Sequence, residues 1–134
     1  MKLLSIPPGQ APILARIRKI CLALPETSEA VKWGHPNFLV GKKIFAAYGV
    51  YHERPTFGSK QTLVDQALLV EDERFFRSPY VGKHGWVSMY TDGRLDWGLV
   101  EDLLVKSYRL VAPKRLVATL DGATDAPPAR RRKA

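Results

Sequence analysis

A chain of 134 residues with a formal net charge of +8 has room for one packed domain but not for two. Its apolar (46%) and charged (25%) fractions are those of a globular protein, and no apolar run approaches the roughly 20 residues of a bilayer-spanning helix. The start, MKLLSIPPGQ, is too short and too proline-rich for a secretory leader, so a cytoplasmic protein without membrane contact is expected.

Cys21 is the only cysteine, which excludes an internal disulfide. It falls on the apolar side of a predicted helix and reads as a small buried hydrophobe. The charge is unevenly spread. Residues 126–134, APPARRRKA, hold Arg130, Arg131, Arg132 and Lys133 and no acid, which is half of the net charge. A basic segment behind two prolines predicts a disordered tail able to hold phosphates or to keep the chain soluble. The expected layout is a flexible start (1–10), a single domain (11–122) and a basic tail (123–134).

Along the chain, Ile13, Leu14, Ile17, Ile20, Cys21 and Leu24 recur at three- and four-residue spacing and predict a helix over Ala11–Leu24, stopped by Pro25. Glu29–Trp33 alternates as a strand, and Asn37–Val40 and Lys43–Val50 follow as a pair around Gly41-Lys42, a two-residue hairpin of the Gly-X type. Pro36 holds His35 extended, so the Gly-His-Pro bend re-aims the chain between strands. Tyr51–Pro55 reads as a loop and Thr56–Lys60 as a strand. Thr62 caps a short helix whose inner face is Leu63, Val64, Ala67 and Leu68.

The acidic Glu71–Arg74 segment is a solvated bend, with Phe75 and Phe76 as anchors behind it. Ser78–Gly85 is a glycine-rich loop, Trp86–Thr91 a strand and Asp92-Gly93 a turn. Asp96 caps the longest helix, Trp97–Ala112, striped by Trp97, Val100, Leu104, Tyr108 and Val111. Pro113 breaks it before one or two further turns. Hairpin-linked strands flanked by helices predict an α+β, two-layer domain with an antiparallel sheet.

The ordered set LPET (24–27), KWGHPNF (32–38), VGKKIFA, TFGSK, SPYVGKHGWVSMY and DLLVKSYRLVAPKRL (102–116) resembles the MmcQ/YjbR-like family of small bacterial proteins over Leu14 to Leu116. The resemblance implies a CyaY-like α+β shape, no assigned reaction, and a DNA-binding label tied to a proposed double-wing motif. This chain departs from the family pattern in its basic tail and its short Gly-Lys-His-Gly loop.

For nucleic acid, Lys42 and Lys43 at a hairpin tip, Lys60 at a strand end, and Lys83 and His84 in a glycine loop can approach phosphates, as can the arginine tail. His35 is a secondary contact. Tyr80, Trp86 and Trp33 offer stacking surfaces for unpaired bases. The same residues have plainer roles. Edge lysines keep strands from aggregating, tryptophans that alternate with polar neighbours are core residues, and an imidazole can tie a loop.

His35, His52 and His84 lack ligand spacing and no second cysteine is present, so no metal is expected. Glu71–Glu73 is the only acidic cluster, far short of an iron-holding surface. No Gly-x-Ser-x-Gly elbow, phosphate loop or dinucleotide fingerprint occurs, so neither a nucleophile nor a cofactor is expected. The leading expectation is a non-enzymatic DNA-binding protein, monomeric by slight preference, with mainly phosphate contacts and weak sequence specificity. The alternative is a protein- or peptide-interaction module marked by an apolar patch near Trp33, Tyr48 and Tyr80. A small-molecule enzyme built on His35, His84 and Trp86 ranks third.

Overall fold

The computed structural model describes residues 6–125, with side chains as far as 122; the expected contacts Arg130, Arg131, Arg132 and Lys133 lie outside the described residues. Helix α1 (Ala11–Leu22) starts on Pro12 in its first turn and buries Leu14, Ile17 and Cys21, the stripe that the spacing predicts. Gln10, in the segment expected to be flexible, is instead buried. Its side chain donates to the Thr91 carbonyl at 2.8 Å and accepts from the Tyr48 and Thr91 hydroxyls at 2.8 and 2.7 Å, which pins the chain start to the sheet.

Six strands form one fully antiparallel sheet: β1 (Thr27–Lys32), β2 (His35–Val40), β3 (Lys43–Tyr51), β4 (Arg54–Lys60), β5 (Phe75–Arg77) and β6 (Trp86–Tyr90), in the order β1-β2-β3-β4-β6-β5. Gly41 at φ 60° closes the β2–β3 hairpin on the pair Val40 and Lys43, as its sequence predicts. One local expectation fails. Tyr51–Pro55 is a tight hairpin, not a loop. Its two turn residues, His52 and Glu53, both take positive φ (49° and 67°), the turn twist that matches paired strands, without the usual glycine. Phe75 and Phe76, expected as anchors, belong to an edge strand, and Phe75 is buried in the core.

A bulge between Phe38 and Leu39 on β2 and the facing stretch of β3 leaves Phe45 without a register partner. This lets adjacent residues Phe45 and Ala46 both enter the core.

Helix α3 (Trp97–Val111), capped by the Asp96 carboxylate on the Leu99 N–H, packs with α1 across one face of the sheet. Phe38, Phe57, Val87 and Met89 meet Val100, Leu104 and Tyr108 there. Tyr108 stands edge-on to Phe45 (ring centroids 5.6 Å apart) and donates its hydroxyl to the Pro25 carbonyl. Each fully buried phenylalanine contributes about 1.5–3 kcal/mol by leaving water. Helix α4 (Lys114–Asp125) adds Leu116 to this layer.

Helix α2 (Leu63–Leu69), capped by Thr62 as expected, is turned the other way from the prediction. Gln66 is its buried residue and Leu69 its core contact, while Leu63, Val64, Ala67 and Leu68 face solvent. Two hydrogen bonds from Gln66 outweigh the apolar stripe: its amide donates to the carbonyls of Gly82 and Trp86 at 2.8 and 2.7 Å. No helix among the described residues is long and apolar enough to cross a membrane.

Candidate functional site

With α1 and α3 on one side, the other face of the sheet stays open among the described residues. Strand alternation decides which residues reach it. On β4, Phe57 enters the core and Ser59 is bonded to Gln61 beneath α3, so Thr56, Gly58 and Lys60 face the open side. On β6, Val87 and Met89 are core residues, so Trp86, Ser88 and Tyr90 are open-facing. The same parity turns His35 and Asn37 of β2 and Ala47 and Gly49 of β3 to this face.

A groove of about 560 Å³ runs across this face. Its floor is low because Gly49 and Gly58 carry no side chain there, and two rings lie over the bare backbone. A Cβ placed at Gly49 meets the His35 ring at 3.6 Å, and one placed at Gly58 meets Trp86 Cε3 at 3.7 Å. Among the described residues no Asp, Glu, Lys or Arg lines the groove. His35 Nδ1 is buried with no hydrogen-bond partner among the described residues. A proton on Nε2 leaves only a lone pair unmet, the cheaper of the two tautomers.

Two aromatic residues wall the groove from opposite sheet edges. Trp33 sits in the β1–β2 turn, 71% exposed, and Tyr80 in the loop behind β5, 96% exposed. Both hold left-handed backbone, φ 54° and 66°, which bulky side chains rarely adopt. Asn37 fixes the first turn by donating to the carbonyls of His35 and Lys32 at 3.0 and 3.4 Å. The second loop is drawn to the sheet by the Ser78 and Ser88 hydroxyls, 2.8 Å apart, and by the Ser78 N–H on the Trp86 carbonyl. From the groove lining outward, Tyr51, Phe76 and Tyr90 stack in a row (4.6 and 5.0 Å), and Arg54 covers Tyr90 at 3.6 Å. Arg54 is itself paired with Asp92, whose carboxyl it holds below the usual range.

The cations expected to bind phosphates collect elsewhere. Antiparallel order brings the β2–β3 hairpin tip (Lys42, Lys43), the last residue of β4 (Lys60) and the 3-10 turn Gly82–His84 before β6 to one end of the sheet. The Gln61 N–H donates to the Gly85 carbonyl at 3.0 Å and ties the last two segments together. Lys42, Lys43, Lys83 and His84 are exposed and Lys60 is half-buried. Among the described residues none of the four lysines has a carboxylate partner, whereas Arg18, Arg54, Arg74, Arg109 and Arg115 are all paired. Glu26, at the same end, is taken by Arg115, which lowers its pKa.

The expected contacts therefore divide. His35, Tyr80 and Trp86 line the groove; Lys42, Lys43, Lys60, Lys83 and His84 lie at the sheet end, so the trio His35, His84 and Trp86 is not one pocket. Trp33 is a surface residue and not a core one. Trp33, Tyr48 and Tyr80, the residues of the expected apolar patch, all line the groove, although the Tyr48 side chain is buried and its hydroxyl donates to Gln10 beneath the sheet; burial raises its pKa. The sequence reading missed Phe76, Gly49 and Gly58; a glycine inside a predicted strand is the signal for a bare floor. No three of His, Cys, Asp and Glu gather as metal ligands among the described residues.

The sequence model of the YjbR family matches residues 22–110. Among solved structures, the chain is similar to the Deinococcus radiodurans protein DR2400, described by its DUF419 domain. The TM-score is 0.67 at 21% identity over 81% of this chain and 87% of that one. A Pseudomonas syringae protein matches with TM-score 0.60 at 14% identity, over 73% of this chain and 97% of that one. No curated protein matches. Such identities show a shared fold.

Proposed function

Since the chain belongs to the YjbR family, whose name assigns no activity, we propose from its surface that it is a non-catalytic nucleic-acid-binding protein gripping phosphates with Lys42, Lys43, Lys60 and Lys83. One observation carries the reading: four lysines from three separate segments share a sheet end and have no carboxylate partner among the described residues, while Arg18, Arg54, Arg74, Arg109 and Arg115 spend their charge on carboxylates. Ammonium groups on turns reach backbone phosphates without reading bases, so weak sequence specificity follows. His84, in the same turn as Lys83, is a secondary contact, and the tail with Arg130, Arg131, Arg132 and Lys133 adds further charge.

Titration of fluorescent oligonucleotides at several salt concentrations tests it. Each phosphate contact contributes about −0.7 to −0.9 to the slope of log affinity against log salt, so four lysines give about −3. Replacing Lys42, Lys43, Lys60 and Lys83 by Gln should abolish that part of the slope. A salt-independent response, or a slope carried wholly by residues 126–134, ends the reading. A second reading, a peptide-binding module, is favoured by the uncharged lining of the groove. Nuclease-resistant capture of an extended peptide, with no oligonucleotide binding, selects it.

A further inference from the structure

We infer that the open-face groove takes an unpaired base of a single-stranded nucleic acid, stacked on Trp86, with the adjoining phosphate on Lys60. This deepens the phosphate reading above and rests on it. Lys60 and Trp86 are directly opposed in the β4–β6 register, and both face the open side. Opposed residues of an antiparallel pair have Cβ atoms about 5 Å apart, so an ammonium group and an indole are presented side by side. A nucleotide has this polarity: a flat apolar base joined to an anion.

The groove itself fits the base and not the anion. Among the described residues its lining carries no charged side chain, and its walls are aromatic. The cations stand outside it, at the sheet end that Trp86 adjoins. Trp33 and Tyr80 are held outward by left-handed backbone at the groove rim, where neither supports the core. Stacking platforms beside a basic track are the recurring way of holding single strands, because every base has a π-face. A duplex keeps its bases stacked inside and cannot use such a groove.

Three probes of equal length separate the possibilities with the full chain: an oligothymidylate, an abasic strand with the same phosphates, and a blunt duplex. Anisotropy gives affinity, and quenching of tryptophan emission reports stacking. The oligothymidylate should bind about tenfold or more tightly than the abasic strand and quench the emission. Trp86→Ala should reduce it to the abasic level, leaving abasic affinity unchanged.

Gly58→Val is the second variant. A Cβ there makes only ordinary contact and valine suits a strand, so the chain should fold with its groove filled. It too should remove the thymidylate advantage and leave abasic binding alone. Equal affinity for thymidylate and abasic strands, or a duplex that binds tightest, overturns the inference while phosphate binding stands. Binding of none of the three overturns both, as does a groove that takes only an apolar peptide.

Discussion

The Ser107 hydroxyl of α3 donates to the main-chain carbonyl of Phe45 at 2.6 Å, while the Lys60 N–H donates to the same hydroxyl at 2.8 Å. Phe45 is the bulge residue that β2 leaves unpaired, and Lys60 ends β4. One buried hydroxyl thus satisfies two backbone groups that the sheet cannot, and it locks the lysine end to the helix layer. Ser107→Ala strands both and should cost about 2 kcal/mol or more. Urea unfolding should show a lowered midpoint with an unchanged slope.

Gly85 sets the turn that carries Lys83 and His84. It has φ 95°, and a Cβ there would run into the Gln61 carbonyl oxygen, part of the backbone that bonds to Gly85 itself. Backbone cannot yield as a side-chain tip can. Gly85→Ala should therefore cost about 2 kcal/mol or more and displace the turn. Its signature is joint: lower thermal stability, and a phosphate affinity that falls as though Lys83 had been removed. A fully stable Gly85→Ala chain contradicts this account of the turn.

Such positions explain what the sequence made legible. The stripes of α1 and α3, the Asp96 and Thr62 caps and the Gly41 hairpin follow from spacing and local chemistry, and so does the antiparallel sheet. Two of the errors share one cause, a tertiary partner that spacing does not display. Gln66 turns α2 around because two distant carbonyls need its amide, and Gln10 is immobilised by Thr91, 81 positions away. His52-Glu53 makes a tight turn without its customary glycine. For the site, the lysines were legible one by one as turn residues. The groove was not, since its floor is two glycines on neighbouring strands and its walls come from opposite edges of the sheet.

Trp33, for which the sequence left a core role and a surface role open, gives a direct check. It lies 71% exposed in its turn, whereas Phe57 is wholly buried. Trp33→Ala should change unfolding free energy by less than about 0.5 kcal/mol, against about 3–5 kcal/mol for Phe57→Ala. Difference emission spectra should give Trp33 the red-shifted maximum of a solvated indole. A large stability loss from Trp33→Ala would return it to the core.

Cys21 should make stability depend on alkaline pH. The thiol is buried in the core beneath the sheet, and burial raises its pKa; the negative charge of Glu29 adds to the shift. In the unfolded chain the thiol ionises near its ordinary value, about 8.5. Since the folded value is the higher one, the stability tied to this thiol is full below that pH. It is lost as pH climbs from the unfolded value toward the folded one, by up to about 1.4 kcal/mol per pH unit. Other groups titrate there too, so the difference between the wild-type chain and Cys21→Ala isolates the thiol. The variant should be less stable at pH 7 but should lose less stability between pH 8.5 and 10.5. Parallel pH profiles for the two chains would show an accessible thiol, and so would rapid labelling of native Cys21 by a thiol reagent at pH 8; the buried thiol instead reacts no faster than the chain opens.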